Sequence, residues 1–269
     1  MSLRYGALLS SLRSLRGAPG VTIVRPTHAA LRYRDGVLPR GTIAPLADVY
    51  VPPNPNGASV VLVHGGGFVI GSRRMKPMRY LTAQLYAAGI AVCAIDYRMI
   101  FRGGRIDEAT TDVHDGFEFW SRTTESLGLD PRRISMVGLS AGATLAFLAA
   151  ARLADRRLAR LAACFGLYEA EHLRGPGELL PRLLFRTADR TAWRLPRSAP
   201  QTAAPTLLLH GTDDGLVPVE QARQLAAHRE SLGLPTKLVI YDGAPHGFFN
   251  VPVPAAAAAT REIIDHVTA

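Results

Sequence analysis

From Val60 onward the chain alternates short, almost continuously apolar runs with longer segments in which apolar residues recur at helical spacing. Apolar runs of this length without polar alternation are typical of strands that are covered on both faces, as in a parallel sheet. The pattern predicts six such strands, at Val60–Val63, Ile90–Ile95, Ile134–Val137, Leu161–Phe165, Thr206–Leu209 and Lys237–Tyr241.

Helical segments lie between and after these strands, and Gly89 and Gly233 follow two of them as expected C-terminal stops. Strand and helix in alternation predict a mostly parallel, doubly wound α/β sheet with helices on both faces and right-handed crossovers. Leu31–Tyr33 and Ala47–Val51 are expected to add antiparallel strands at one edge. The predicted helices are Lys76–Ala88, Asp107–Leu127, Ala141–Ala154, Val219–Leu232 and Pro254 to the C-terminus.

The length of 269 residues fits one large α/β domain. Residues 166–204 break the alternation with several prolines and only a weak helical pattern, and long segments of this kind are usually lids or binding elements. Leu8, Leu9, Leu12 and Leu15 fall near one face of a possible helix, which we expect to pack on its own domain rather than to anchor a membrane. We therefore predict a single domain, 1–269, with residues 1–30 and about 166–204 as cap or lid elements.

The strongest local motif is Gly138-Leu139-Ser140-Ala141-Gly142, between a predicted strand and a predicted helix. A chain that turns sharply from strand to helix forces the central serine into a strained conformation, and the flanking glycines leave room for the close approach. Such a turn exposes the serine hydroxyl at the carboxyl edge of the sheet. Ser140 is therefore the candidate nucleophile.

A second motif, His64-Gly65-Gly66-Gly67-Phe68, directly follows the strand Val60–Val63. Three glycines in a row carry a conformational-entropy cost, and they suit a place where backbone N–H groups point at an oxyanion. The expected donors are the amides of Gly66, Gly67 and Ala141. A flexible turn or a phosphate loop is the alternative, but the Gly-Lys-Ser and G-x-G-x-x-G patterns of phosphate loops are not present here.

Two further motifs follow later strands: the run from His210 to Pro218, which contains Asp213 and Asp214, and Pro245-His246-Gly247. Because the carboxyl ends of parallel strands meet at one edge of a sheet, an imidazole and a carboxylate from these loops can reach the serine. His246 is the candidate base, and the acid is Asp214 or its neighbour Asp213.

These residues together give the chain its resemblance to a known family. From about residue 47 to the C-terminus the chain resembles the α/β-hydrolase superfamily, nearest the hormone-sensitive-lipase-like carboxylesterases. The resemblance is carried by the HGGGF motif, by Asp96-Tyr97-Arg98, by the GLSAG motif and by His246 before Gly247-Phe248. It implies a Ser140, Asp214, His246 triad, with Asp214 selected by its spacing from His210. The acid loop departs from the family's usual D-P-L-x-D type and is more like that of peptidases, dienelactone hydrolases and acetyl or feruloyl esterases.

Several residues beside the motifs have a less specific interpretation. Phe68, Tyr97, Leu216, Phe248 and, from the cap, Trp193 are candidate pocket residues, with core packing as the alternative for each. His64 and His210 are expected to be structural, bonding nearby backbone. Asp242 is expected to form a turn, and Asp96 and Arg98 are expected to pair with each other.

Composition narrows the possible partners. The net charge of +9 comes mostly from scattered arginines, without the basic run or interleaved aromatic residues of a nucleic-acid-binding surface. Attraction to anionic membranes or acidic substrates stays open. No apolar stretch is long enough to span a bilayer, and residues 1–20 lack the pattern of a signal peptide. Cys93 and Cys164 lie in apolar runs and are expected to be core thiols, which favours a cytoplasmic location.

The leading functional hypothesis is a serine carboxylesterase that acts on small-molecule short-chain acyl esters through an acyl-enzyme, with no cofactor and no metal. The chain has neither H-E-x-x-H nor a Cys–His ligand spacing. The same triad serves amide, formamide or carbohydrate-acetyl hydrolysis, so an arylformamidase-like or deacetylase-like enzyme is the alternative. A non-catalytic ligand-binding module and a homo-oligomer also stay open.

Overall fold

The computed structural model describes residues 22–35, 38–153, 158–170, 179–187, 189, 193, 195–197, 200–250 and 253–269. The leucine face predicted at residues 8–15 and most of the predicted N-terminal cap element lie outside these ranges, as do parts of the predicted cap at about 166–204.

Within the described residues the sheet has eight strands in the order β1-β2-β4-β3-β5-β6-β7-β8. All neighbouring pairs from β4 to β8 in that order run parallel, whereas β2 runs antiparallel to β1 and β4. The predicted mostly parallel α/β sheet with two antiparallel strands at one edge is therefore confirmed. The strands are β1 (His28–Arg32), β2 (Leu46–Tyr50), β3 (Ser59–Val63), β4 (Ala91–Ile95), β5 (Ile134–Leu139), β6 (Leu161–Cys164), β7 (Thr206–Asp213) and β8 (Thr236–Pro245).

Six α-helices are described, and five of them match the predicted helices to within a few residues at each end. The remaining helix, α4, was not predicted, because its segment has Pro181 near its start and little helical periodicity. The helices are α1 (Lys76–Ala87), α2 (Ile106–Ser126), α3 (Ala141–Ala150), α4 (Leu179–Phe185), α5 (Glu220–Ser231) and α6 (Pro254–Thr268).

Helices cover both faces of the sheet, and the strands are apolar throughout for that reason. Alternate residues of one strand point to opposite faces: Val61 and Val63 of β3 pack with α2, α3 and α5, and Val60 and Leu62 pack with α1 and α6. Both predicted core thiols are buried and free, and burial raises the pKa of each. The two packed layers hold the carboxyl ends of β3 to β8 along one rigid edge.

Candidate active site

Ser140 lies in a strained turn between β5 and α3. Its backbone has φ 51° and ψ −119°, a conformation that costs a non-glycine residue about 1–3 kcal/mol. A Cβ added at Gly142 would collide with the carbonyl oxygens of Val63 and His64, so the helix could not approach β3 this closely with any other residue there. The amide of Ser140 donates to the carbonyl of Cys164 at 2.8 Å, which fixes the turn against β6.

The ladder between β7 and β8 brings two of the predicted site residues side by side. Both strands run further than the apolar pattern predicted, past a register shift, until Asp213 pairs with Pro245. A Cβ added at Gly211 would collide with the carbonyl oxygen of Ala244, so glycine permits the close approach at the shift. The residues that follow the last pair, Asp214 and His246, therefore leave the sheet together.

Ser140, His246 and Asp214 form a continuous hydrogen-bonded chain. Ser140 Oγ lies 3.0 Å from His246 Nε2, and His246 Nδ1 lies 2.7 Å from Asp214 Oδ2. The imidazole is 12% exposed, the carboxylate is fully buried, and the ring of Phe165 meets the imidazole edge-on with centroids 5.1 Å apart. Phe165, at the end of β6, was not singled out in the sequence because it belongs to an ordinary apolar strand run.

Every oxygen of Asp214 faces donors. Oδ1 accepts from the backbone amides of Leu216 at 3.0 Å and Val217 at 2.7 Å, and Oδ2 lies 3.1 Å from Nε2 of His210 as well as close to His246. Burial by itself raises the pKa of this carboxyl, but the hydrogen bonds from His210 and His246 outweigh burial and lower the pKa to about 2. Asp214 is therefore ionised at neutral pH and able to stabilise an imidazolium at His246.

The structure separates Asp214 from the other carboxylates in this region. Asp213 is exposed and has its ladder partner on β8, whereas Asp214 contacts the imidazole directly. Asp242 lies within β8 and accepts from the hydroxyl of Thr212 on β7 at 3.0 Å, so the expectation that it forms a turn is wrong. Of the two candidates for the acid, only Asp214 lies within hydrogen-bonding distance of His246.

The glycine loop after β3 passes directly beside the serine. A Cβ added at Gly65 would lie 3.1 Å from Cβ of Ser140. Gly66 has φ 118° and Gly67 has φ 61°, a backbone region that glycine adopts without strain. Within the described ranges, the amides of Gly66, Gly67 and Ala141 donate to no backbone carbonyl, so each is available to a ligand.

Buried polar side chains support the glycine loop from beneath. The ring of His64 stacks on Tyr97 at 4.2 Å, the Tyr97 hydroxyl donates to the His64 carbonyl at 2.9 Å, and His64 Nδ1 lies 2.7 Å from the carbonyl of Gly65. Burial lowers the pKa of His64. Asp96 lies nearby and accepts from the backbone amide and the guanidinium of Arg73. His64 thus has the structural contacts that were expected of it.

The expected pairing of Asp96 with Arg98 is wrong. Arg98 instead binds Asp112 of α2, with Nε at 2.8 Å and Nη2 at 2.7 Å from the carboxylate. The chain turns away from the sheet after Asp96, so Arg98 points toward the buried carboxylate on the helix while Asp96 faces Arg73. Residue spacing along the chain gave no sign of this turn.

The candidate pocket residues fall into two groups. Phe68, Tyr97, Phe248 and Trp193 are buried, and Nε1 of Trp193 donates to the carbonyl of Thr187 at 3.2 Å. Leu216 is 43% exposed and lies two residues after Asp214. The core-packing alternative fits the buried four, and Leu216 is the one of the five that faces solvent beside the triad.

The described part of the chain has neither a helix that could span a membrane nor a cluster of metal-ligating side chains. No helix there is long and apolar enough to cross a bilayer. No group of three or more histidine, cysteine, aspartate or glutamate side chains there is placed to hold a metal ion.

The chain is similar to several known esterases. The BD-FAE family model matches residues 47–171. An ethyl acetate hydrolase from Pseudomonas putida is 30% identical over 232 residues, which cover 76% of this chain and 71% of that protein. A probable isoprenylcysteine alpha-carbonyl methylesterase from Oryza sativa subsp. japonica is 32% identical over 231 residues, covering 74% of this chain and 54% of the relative. The chain thus spans about half the length of the plant relatives that it matches.

Solved structures share the fold. A hyperthermophilic esterase from Pyrobaculum calidifontis superposes with a TM-score of 0.75 at 23% identity, over 98% of this chain and 92% of that chain. An acetyl ester-xyloside bifunctional hydrolase from Caldicellulosiruptor lactoaceticus gives a TM-score of 0.74 at 18% identity, over 90% and 96% of the two chains.

Proposed function

Because this chain belongs to the hormone-sensitive-lipase-like carboxylesterases of the α/β-hydrolase superfamily, we propose that it hydrolyses short-chain acyl esters with Ser140 as nucleophile, His246 as base and Asp214 as the acid that orients the base. The observation that carries the proposal is the continuous hydrogen-bonded chain from Ser140 Oγ through the imidazole to the Asp214 carboxylate. It lies at the edge of the sheet where open α/β folds bind ligands.

Acylation begins with a proton transfer. Nε2 of His246 accepts the proton of Ser140 Oγ as the oxygen attacks the ester carbonyl, which gives a tetrahedral intermediate with a negatively charged oxygen. The Asp214 carboxylate keeps the other imidazole proton on Nδ1 and stabilises the imidazolium. His246 then gives its Nε2 proton to the leaving alcohol, the carbon–oxygen bond breaks, and the acyl group stays on Ser140.

The glycine loop serves the charge that develops on the carbonyl oxygen. Amides of Gly66, Gly67 and Ala141 donate to this oxyanion, and one such donor contributes about 3–4 kcal/mol to the transition state. The close contact of Gly65 with Cβ of Ser140 supports this role, because it keeps the loop beside the place where Oγ attacks the carbonyl carbon of the substrate.

Deacylation repeats the same steps with water. His246 takes a proton from the water as it attacks the acyl carbonyl, and returns that proton to Ser140 Oγ when the carboxylic acid leaves. The enzyme is regenerated with its original protonation.

The short acyl chain is the part of the proposal that depends on the relatives. The Pseudomonas putida relative is named for ethyl acetate, an ester with a small acyl group and a small alcohol.

A second candidate substrate class follows from the plant relatives, whose name describes methyl esters with a large apolar acyl part. The exposed side chains of Ile70, beyond the glycine loop, and Leu216, beyond Asp214, favour it because they offer apolar contact to such a substrate. Short-chain esters remain the leading candidate, since a relative of which the chain covers 71% is named for one.

We also propose that the chain forms a single domain in which residues 1–30 and about 166–204 cap the site. Contacts of the described part of the second segment with the rest of the domain support the cap: the hydroxyl of Thr144 on α3 donates to the carbonyl of Leu167 at 2.8 Å, and the backbone amide of Tyr168 donates to Oε1 of Gln221 on α5 at 2.8 Å.

Kinetics on p-nitrophenyl esters test the proposed function. We expect a burst of p-nitrophenol from the acetyl and butyryl esters, a fall in kcat/KM as the acyl chain lengthens, and loss of the burst in Ser140→Ala. Matched methyl esters with small and large acyl groups separate the two substrate classes, and a matched amide tests the amidase alternative. Unchanged turnover by Ser140→Ala would refute the proposal, and faster cleavage of the amide than of the ester would replace its substrate class.

A further inference from the structure

A second histidine contacts the carboxylate of the triad. His210, near the end of β7, is fully buried, and its Nε2 lies 3.1 Å from Asp214 Oδ2 and 2.9 Å from the carbonyl oxygen of Val217. Both neighbours are acceptors, so Nε2 carries a proton that it shares between them.

The other ring nitrogen supports this tautomer. His210 Nδ1 is buried and has no hydrogen-bond partner among the described residues. A proton on Nδ1 would therefore be a buried donor without an acceptor, which costs about 1–3 kcal/mol. The ring thus presents its single proton toward Asp214 and Val217.

This proton completes the set of donors around Asp214. The backbone amides of Leu216 and Val217 donate to Oδ1. Oδ2 accepts from Nδ1 of His246 on one side and from Nε2 of His210 on the other. The backbone bonds alone leave the carboxylate free to tilt about its Cβ–Cγ bond. The contact with His210 opposes that tilt, because Oδ2 is then held between two rings.

We propose that His210 is a positioning residue for ester hydrolysis: its Nε2–H holds Oδ2 of Asp214 in line with the imidazole of His246 and draws off part of the carboxylate's charge. This inference rests on the proposed function, since it requires that the triad is catalytic. It goes beyond the structural role expected from the sequence, in which His210 bonds only to nearby backbone.

The electrostatic consequence has a definite sign. A carboxylate that accepts an extra hydrogen bond attracts the imidazolium at His246 less strongly, because part of its negative charge is already neutralised. Removal of the His210 donor leaves more negative charge on Oδ2 of Asp214, which strengthens its attraction for the imidazolium at His246. The acid limb of the kcat/KM profile then moves upward in pH.

His210→Gln and His210→Asn both carry a side-chain amide, but its N–H donor lies at a different distance from the backbone. In His210→Gln the side-chain nitrogen extends to the place of Nε2, whereas in His210→Asn it reaches only the place of Nδ1. We expect His210→Asn to lower kcat about 10-fold to 100-fold, the equivalent of a lost hydrogen bond to a charged group. We expect KM to stay nearly unchanged, the acid limb to move upward, and His210→Gln to restore most of kcat and the wild-type pH profile.

His266→Asn is the matched control. His266 is half-buried, and its Nε2 contacts the carbonyl of Leu161 at 3.2 Å, at the opposite end of β6 from the site. We expect this variant to lower the melting temperature without moving the pH profile. A purely structural His210 would behave the same way.

The outcomes separate this inference from the proposed function. If Ser140→Ala abolishes turnover while His210→Asn keeps wild-type kcat and the wild-type acid limb, the inference fails and the triad stands. If Ser140→Ala turns over normally, the proposed function fails first. Nitrogen-15 NMR of the histidines in the wild-type protein needs no variant to fold: a proton on Nε2 of His210 supports the inference, and a proton on Nδ1 overturns it.

Discussion

The substitution Asp214→Asn perturbs the candidate site at its most highly connected group. All four neighbours of this carboxylate are donors: the amides of Leu216 and Val217 and the rings of His210 and His246. An asparagine amide places its own two protons against at least one of them. The clash with the Nδ1 proton of His246 is relieved when that ring carries its proton on Nε2 instead. Nε2 then donates toward Ser140 Oγ and cannot accept the serine proton.

The expected effect on catalysis is large. Loss of the charged acceptor in a Ser-His-Asp hydrolase lowers kcat about 10⁴-fold, because the base is held in the wrong tautomer. KM should change little, since Asp214 is buried behind the imidazole and does not face the substrate. Stopped-flow and steady-state release of p-nitrophenol from the acetyl ester measure both quantities.

The same change has a predictable effect on stability. The pKa of Asp214 falls from 3.8 to about 2 in the folded protein, which corresponds to about 2 kcal/mol of stability. For a carboxyl with a lowered pKa, that contribution is present above pH 3.8 and is lost as the pH falls toward 2. Urea unfolding should therefore show Asp214→Asn at least about 2 kcal/mol less stable near pH 7, with a gap that narrows in acid.

Asp213→Asn is the matched control, because it makes the same change one residue away on an exposed side chain. We expect wild-type kcat and stability within about 0.5 kcal/mol. The reasoning is refuted if Asp214→Asn keeps kcat within tenfold of wild type, or if Asp213→Asn takes the larger loss.

Three further changes test the groups around the triad. Ser140→Gly should abolish ester hydrolysis yet raise the free energy of unfolding by about 1 kcal/mol, because it relieves the strained φ of 51°; lower stability in urea would contradict the strain. Gly142→Ala should destabilise the protein by about 3 kcal/mol or more through the clash with the carbonyls of Val63 and His64, and a melting temperature equal to wild type would show that the strand–helix contact is looser. Arg73→Met should cost about 3–5 kcal/mol by leaving the buried carboxylate of Asp96 without its cation, while Asp48 keeps Arg74, and calorimetry that finds no loss would show that the Arg73–Asp96 pair contributes little.

Much of the fold was predictable because the sheet is buried on both faces. Continuous apolar runs such as Val60–Val63 and Ile90–Ile95 favour a parallel sheet. Gly138 and Gly142, which have no side chain, indicate the tight turn at Ser140. The two antiparallel strands at the edge were also predicted, although each begins earlier than expected.

The features of the fold and site that were not predicted depend on contacts between distant segments. The extension of β7 and β8 to the pair Asp213–Pro245 follows from their mutual ladder, and neither strand has an apolar run there. The choice of Arg73 for Asp96 and of Asp112 for Arg98 depends on how the loop after β4 turns. The contact of His210 with Asp214 was missed because a histidine before a glycine at a strand end looks structural.

Covalent labelling identifies the nucleophile directly. The wild-type protein is incubated with a fluorophosphonate, digested, and analysed by peptide mass spectrometry, with His246→Ala and Asp214→Asn in parallel. We expect one phosphonate on the peptide that contains Ser140, with labelling slowed strongly in both variants. Ester hydrolysis by a protein that carries the label on another residue, or that never takes the label, would contradict this expectation.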